Sequence, residues 1–225
     1  MIVELSYLIG ELNPVEVLGL IKPNIKWRAR FGDGQGKSNQ TSNIEMSSHN
    51  GTHIDAPFHV LREGKKITDY DISDFYFDKI FVIDCKKRDL EKIEVEDLKP
   101  YENDLKKCNL LLIYTGFSKY RSVETERYIK KSPGFSIEGA KYIKRNFSNI
   151  RCIGVDLMGI ENIVEGRESG WNVHKILLGG DSKFFHIEDM NIKPVVGKKI
   201  KRVFVAPIRM IDSEASPVTI LADVD

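Results

Sequence analysis

Apolar residues follow two kinds of pattern along this chain. Short unbroken runs, rich in β-branched and aromatic residues, read as buried strands: Lys79–Asp84 (KIFVID), Leu110–Tyr114 (LLLIY), Cys152–Asp156 (CIGVD), Arg202–Ala206 (RVFVA) and Val218–Ala222 (VTILA). The other pattern is helical. Over Ser136–Phe147 the apolar positions Ile137, Ala140, Tyr142 and Ile143 follow a plausible N-cap, Ser136, and the break Pro133-Gly134. Weaker periodicity predicts a second helix over Glu96–Lys107. A third starts near Gly170–Asn172 and carries His174, Ile176, Leu177 and Leu178. Segment Phe31–Thr41, mostly glycine and polar residues, reads as a loop or β-turn connection. Its GKS lacks the glycine that a phosphate loop places upstream. Strands alternating with helices predict an α/β fold. The last strands cluster without helices between them, so the sheet is expected to be mixed. No repeat or low-complexity tract divides the chain, and residues 1–225 read as one domain.

Composition narrows the class. The 225 residues are 41% hydrophobic and 30% charged, with a formal net charge of +1, which is ordinary for a soluble globular protein. That balance carries no electrostatic footprint for nucleic acid or an anionic membrane. The basic runs Lys86-Lys87-Arg88 and Lys198–Arg202 read as solvated strand ends. No apolar run has the length of a membrane span, and the expected location is cytoplasmic. Cys85, Cys108 and Cys152 are far apart and form no CxxC pair, which suits a reducing compartment.

The candidate chemistry is concentrated in His49-Asn50-Gly51-Thr52-His53-Ile54-Asp55-Ala56-Pro57-Phe58-His59. His49, His53, Asp55 and His59 all stand at odd positions, which share one face of a strand. A straight strand would spread them over roughly 30 Å at about 3.3 Å per residue, whereas ligands of one ion must converge. The chain therefore has to bend, and Gly51 is the residue that permits it. Gly51, Thr52, Ile54 and Pro57 all oppose a helix. A turn followed by a short extended piece fits best, with His53 and Asp55 projecting to the same side. A lone histidine is usually a surface or satisfied core residue. Three histidines and an aspartate within eleven residues, in a chain with five histidines, favour a metal site.

The pattern His-x-Gly-Thr-His-x-Asp-x-Pro-x-His resembles the signature of the metal-dependent cyclase-like hydrolases, which include bacterial kynurenine formamidases and isatin hydrolases. Further along, Glu4-Leu5-Ser6, Tyr114-Thr115-Gly116, Pro133–Ser136 and Gly154-Val155-Asp156 are similar to the family's landmarks. So are His174–Leu178, Glu188-Asp189-Met190, Ala206–Arg209 and Ser216-Pro217-Val218. The resemblance implies a mixed, barrel-like sheet flanked by helices, of the swivelling β/β/α type. It implies that His49, His53 and Asp55 ligate one metal and that Asp55 bridges to a second completed by His174 and Glu188. His59 would be the unligated catalytic histidine. The resemblance also implies one or two divalent ions, Zn or Mn, and a homodimer or higher assembly. The activity implied is opening of a C–N bond in a small linear or cyclic amide.

Three departures stand out. The interval from His174 to Glu188 is two residues longer than usual, around Asp181–Phe185. That leaves His186 at the usual spacing as a rival ligand to Glu188. Glu16-Val17-Leu18-Gly19 stands where kynurenine formamidases carry an aromatic-Pro-Gly-Asp stretch that shapes the substrate pocket. Tyr7 replaces a frequent histidine. Asp156 is read as a helix cap, salt bridge or site-border residue, and Arg209 as an ion-pair partner or carboxylate binder. Trp27 and Trp171 are read as pocket walls or packing. A metal- or ligand-binding protein without turnover is the alternative reading, and His59, a proton carrier that binding alone does not need, favours the enzyme.

Overall fold

Alternating residues of the first three predicted strands enter two separate apolar clusters in the computed structural model, which describes residues 1–10, 18–32, 38–180 and 183–225. Leu110 and Leu112 face one cluster together with Ile54, Phe185, Ile187, Val203 and Ile220. Leu111 and Ile113, the residues between and beside them, face the other with Ile153, Ala140, Ile143 and Leu177. The parallel strands are therefore covered on both sides, which is why they read as continuous apolar runs, whereas the last two predicted strands turn Phe204 and Leu221 outward and exposed.

The principal sheet has nine strands: β1 (Ile2–Glu4), β2 (His53–Asp55), β3 (Tyr76–Phe77), β4 (Ile80–Asp84), β5 (Leu110–Tyr114), β6 (Cys152–Val155), β7 (Phe185–Glu188), β8 (Ile200–Pro207) and β9 (Ala215–Val224). Their order is β3-β8-β9-β2-β7-β6-β5-β4, with β1 also on β9. Strands β4 to β7 are parallel, and the remaining pairings are antiparallel. The two ends of this path, β3 and β4, are separated by only Asp78 and Lys79. The sheet consequently curls into a nearly closed barrel around the first cluster. Parallel strands need long crossovers. Helices α1 (Ile137–Asn146), α2 (Ile163–Ser169) and α3 (Asn172–Leu178) lie in those crossovers, and α1 and α3 line the second cluster on the outside of the barrel.

The predicted strands and two of the helices lie where the patterns put them. Ser136 caps α1 by accepting the Gly139 amide at 2.9 Å. β8 and β9 outrun their apolar cores because they pair along their length, from Ile200↔Val224 to Pro207↔Val218. The continuous helix expected over Glu96–Lys107 is absent: Val95–Leu98, a 3-10 turn at Lys99–Tyr101 and Glu102–Leu105 replace it. Pro100 has no amide to donate and clashes with the preceding turn. A hairpin of Asn24–Ala29 with Thr41–Glu45 projects with nearly every side chain exposed. Its first strand alternates apolar Ile25, Trp27 and Ala29 with polar Asn24, Lys26 and Arg28, a period-2 signal that the longer apolar runs overshadow. The glycine-rich segment joins its strands, residues 33–37 being outside the described residues, as are Glu16 and Val17 of the substituted stretch and Asp181 and Ser182 of the insertion.

Candidate metal centre

Strand β2 supplies two of the candidate ligands because its middle residue is apolar. Ile54 is buried inside the barrel, so His53 and Asp55 on either side of it point outward. Burying Ile54 contributes about 1.5–3 kcal/mol, and β2 is also hydrogen-bonded on both edges, to β7 and β9. The register with β7 sets His186 opposite Asp55 and Glu188 opposite His53. Phe185 and Ile187 take the barrel interior, so His186 and Glu188 share the outer face with His53 and Asp55. Gly51 has φ +67°, and the bend it permits folds His49 back until its ring lies 4.8 Å from that of His53. The expected short extended piece is β2, and Pro57–His59 after it form a 3-10 turn. Proline at the first position of a helical turn has the right φ and needs no donor. The turn brings the His59 ring to 4.5 Å from His49 and 5.7 Å from His174. Buried on α3, His174 lies 4.8 Å from the His186 ring. All five histidines of the chain meet here.

Two buried carboxylates occupy the middle. Asp55 Oδ1 lies 3.2 Å from His49 Nδ1 and 3.6 Å from His53 Nε2, and its Oδ2 lies 2.9 Å from His186 Nε2. Glu188 Oε2 lies 3.3 Å from His53 Nε2; its Oε1 lies 3.3 Å from His174 Nε2 and 3.5 Å from His186 Nε2. No lysine or arginine among the described residues pairs with either carboxylate. An isolated ion of this kind costs several kcal/mol to bury, so the site requires positive charge from another source. Burial alone would raise both carboxyl pKa values, but the surrounding histidines hold them well below the usual range. In return, the Asp55 carboxylate and Glu214 overcome the effect of burial on His49 and push its pKa up to about 10. Glu161 and Glu188 likewise raise His174, against burial, to about 9. His59 goes the other way: burial dominates and lowers it to about 4.

The donor set suits a divalent ion. His53 Nε2 and Asp55 Oδ1 are buried without a hydrogen-bond partner, as is His186 Nδ1. His53 is held through its other nitrogen, Nδ1, 2.9 Å from the Gly51 carbonyl, and His174 Nδ1 lies 2.6 Å from Glu161 Oε1. Fixing one ring nitrogen in this way presents the other to a metal. Donor atoms of Asp55, His174, His186 and Glu188 all lie within 4.8 Å of one another, as do those of His49, Asp55 and His59. The structure thus brings together all six residues singled out in the sequence and sets His186 beside Glu188 instead of choosing between them.

Two partners, Glu161 and Glu214, had no sequence signal. Glu161 orients His174 from the end of a loop, and Glu214 lies 3.5 Å from His49 Nε2 at the start of β9. The weaker candidates divide. Asp156 accepts from the Thr115 and Gly116 amides and from the hydroxyls of Thr115 and Ser118, clamping the turn after β5. Arg209 donates to the Tyr70 carbonyl and has no ion pair among the described residues. Tyr7 packs its ring 4.0 Å from the Arg121 guanidinium. Trp27 stands on the exposed hairpin, whereas Trp171 lines a cavity of ≈ 140 Å³ with Leu18, Leu20, Met158 and Ile163. His49, His53, His59, His174 and Glu188 face the same cavity. Among the described residues no helix is long and apolar enough to cross a membrane.

A family model described as putative cyclase matches residues 3–162. A kynurenine formamidase of Geobacillus thermodenitrificans is 34% identical over 135 residues, 60% of this chain and 59% of that protein. An uncharacterised protein of Methanocaldococcus jannaschii is 33% identical over 181 residues, covering 80% of this chain and 81% of its own. Among solved structures, isatin hydrolase A from Labrenzia aggregata bound to benzyl benzoate superposes with a TM-score of 0.81 at 21% identity, over 99% of this chain and 93% of that one.

Proposed function

The chain belongs to the cyclase family, and from that premise we propose that it is a metal-dependent hydrolase that opens the C–N bond of a small linear or cyclic amide. One observation carries this reading: two buried carboxylates surrounded by the chain's five histidines, with His53 Nε2 and Asp55 Oδ1 left without hydrogen-bond partners. His49, His53, Asp55, His174 and Glu188 would hold one or two ions, Zn²⁺ or Mn²⁺, for which an imidazole and carboxylate set is equally suited. Such an ion supplies a water acidic enough to lose its proton near neutral pH and polarises a carbonyl.

The chain's own groups supply the rest. His59, kept neutral by burial, accepts a proton from the attacking water and delivers it to the departing nitrogen. The apolar walls of the ≈ 140 Å³ cavity exclude water and fit a compact substrate, well below the ~300 Å³ at which drug-sized pockets begin. The relatives called kynurenine formamidase and isatin hydrolase act, by their names, on a formamide and a cyclic amide, and both fit this class. We further propose that residues 1–225 form one domain that works as a homo-oligomer.

The decisive experiment is elemental analysis of the purified protein together with a screen of formamides, lactams and cyclic imides in the presence of Zn²⁺ or Mn²⁺. Bound metal and turnover are expected, and Asp55→Ala should lose both. Full metal occupancy in Asp55→Ala would refute the ligand assignment. Bound metal with no turnover of any amide would make the protein a binding protein.

A further inference from the structure

His186 is not among the residues assigned above to metal or catalysis, yet it is among the most buried groups of the site, with no exposed surface. Its neighbour across the parallel pair is Ile153, and across the antiparallel pair it is Asp55. An imidazole here takes the place of an apolar strand residue. One of its nitrogens, Nδ1, has no partner, and leaving such a group unsatisfied costs about 1–3 kcal/mol. His53 and His174 show no such deficit at Nδ1, because a carbonyl or a carboxylate fixes each ring from behind. Packing therefore does not account for a histidine at this position.

Geometry does. Nε2 of His186 lies 2.9 Å from Asp55 Oδ2 and 3.5 Å from Glu188 Oε1, and His174 Nε2 lies 3.3 Å from that same Glu188 oxygen. A tetrahedral ion with bonds of ~2.0–2.1 Å has donor–donor edges of roughly 3.3–3.4 Å. The three separations bracket that value. His186 does not line the cavity, whereas His174 and Glu188 do. It approaches the donor cluster from the sheet.

Resting on the metal-centre reading above, we infer that His186 is a direct ligand, completing a four-donor subsite with Asp55, His174 and Glu188 for a borderline divalent ion such as Zn²⁺. This divides the centre into unequal halves. The His186 half has two imidazoles and two carboxylates and is closed, as structural zinc sites are. The His49 and His53 half faces the cavity and keeps a position open for substrate and water. With four protein donors, the closed half would be expected to hold the tighter-bound of two ions.

The test loads metal-free full-length protein with Co²⁺ and reads stoichiometry by equilibrium dialysis and ligand geometry by the visible d–d spectrum. Wild type should take up two ions, the first giving the intense band of a tetrahedral site. In His186→Leu the first ion should bind more than ~100-fold more weakly, beyond the ~10–100-fold typical of losing an outer partner. Its band should also collapse, while the other ion is retained. His186→Gln, closer in size and polarity, serves if the leucine variant fails to fold by circular dichroism; its band should move as a nitrogen donor is lost. Unchanged stoichiometry and spectrum would overturn the inference alone, and so would a weaker first ion with an unchanged band, which makes His186 only an orienting partner of Asp55. Wild type that takes up no Co²⁺ would overturn the metal-hydrolase reading with it.

Discussion

His59 and His174 lie 5.7 Å apart ring to ring, but their surroundings hold protons in opposite ways. Against burial, Glu161 and Glu188 push the pKa of His174 up to about 9, which favours its protonated form at neutral pH in the metal-free protein, whereas burial lowers His59 to about 4 and favours its neutral form. His59 is thus available as a proton acceptor, and His59→Ala should keep its metal while losing ~10²–10⁴-fold in kcat, with a smaller change in KM. Metal loss in that variant, or near-normal kcat on a confirmed substrate, would reassign it as a ligand. This matters because its donor atom lies within 4.8 Å of those of His49 and Asp55. The raised histidines set a second expectation. His174 and His49 have folded pKa values of about 9 and about 10 against an ordinary 6.5. Their stabilising contribution is complete below the unfolded value and is lost as pH rises through the folded one. Metal-free protein should therefore lose stability between pH ~6.5 and 10. Metal binding should strengthen over the same window, because protons stop competing for the ligands. Thermal melts at several pH values, with and without Zn²⁺, check both trends; a metal effect that is constant with pH would contradict the ligand set.

Helix α3 depends on its approach. Trp171, at φ +64°, precedes it and lays its indole against Gly166 of α2, where an added Cβ would come within 2.6 Å of the ring. Gly166→Ala should displace the indole at an overpacking cost of ~1–3 kcal/mol. Because Trp171 also borders His59 and His174, KM should rise together with the loss of stability. Denaturation midpoints and tryptophan fluorescence would measure this, and an unshifted fluorescence spectrum would count against it. The same comparison of elements explains what could be read from sequence. The 49–59 segment was legible because its ligands are close in sequence and one glycine explains their convergence. The parallel strands were legible because burial on both faces removes polar interruptions. Glu161 and Glu214 were not, since each meets its histidine only through the fold, from 13 and 165 residues away respectively. The helix near Pro100 is broken because the cost of an interior proline exceeds what a weak apolar period contributes.

Over the whole molecule, the proposed ions tie three distant stretches of chain to one another: 49–59, 174 and 186–188. An ion at a hundredfold excess over its Kd should stabilise the fold by about 2.7 kcal/mol per site, or roughly 5–10 °C in Tm for a chain of this size. A chelator should reverse the shift, and a Tm indifferent to both would argue against metal binding in the folded state. The position of β2 has a consequence for assembly in time. It is inserted between β7 and β9, so residues 53–55 find their neighbours only 131 and 160 positions later, at His186 and Ala215. A nascent chain leaving the ribosome would carry its histidine motif without either flanking strand until β7 and β9 had followed it. Contacts of such long range are slow to form, because the entropy of closing the loop is lost before the pairing repays it. The capacity to capture an ion should accordingly appear with the last step of refolding, after the parallel strands and their helices have already gathered.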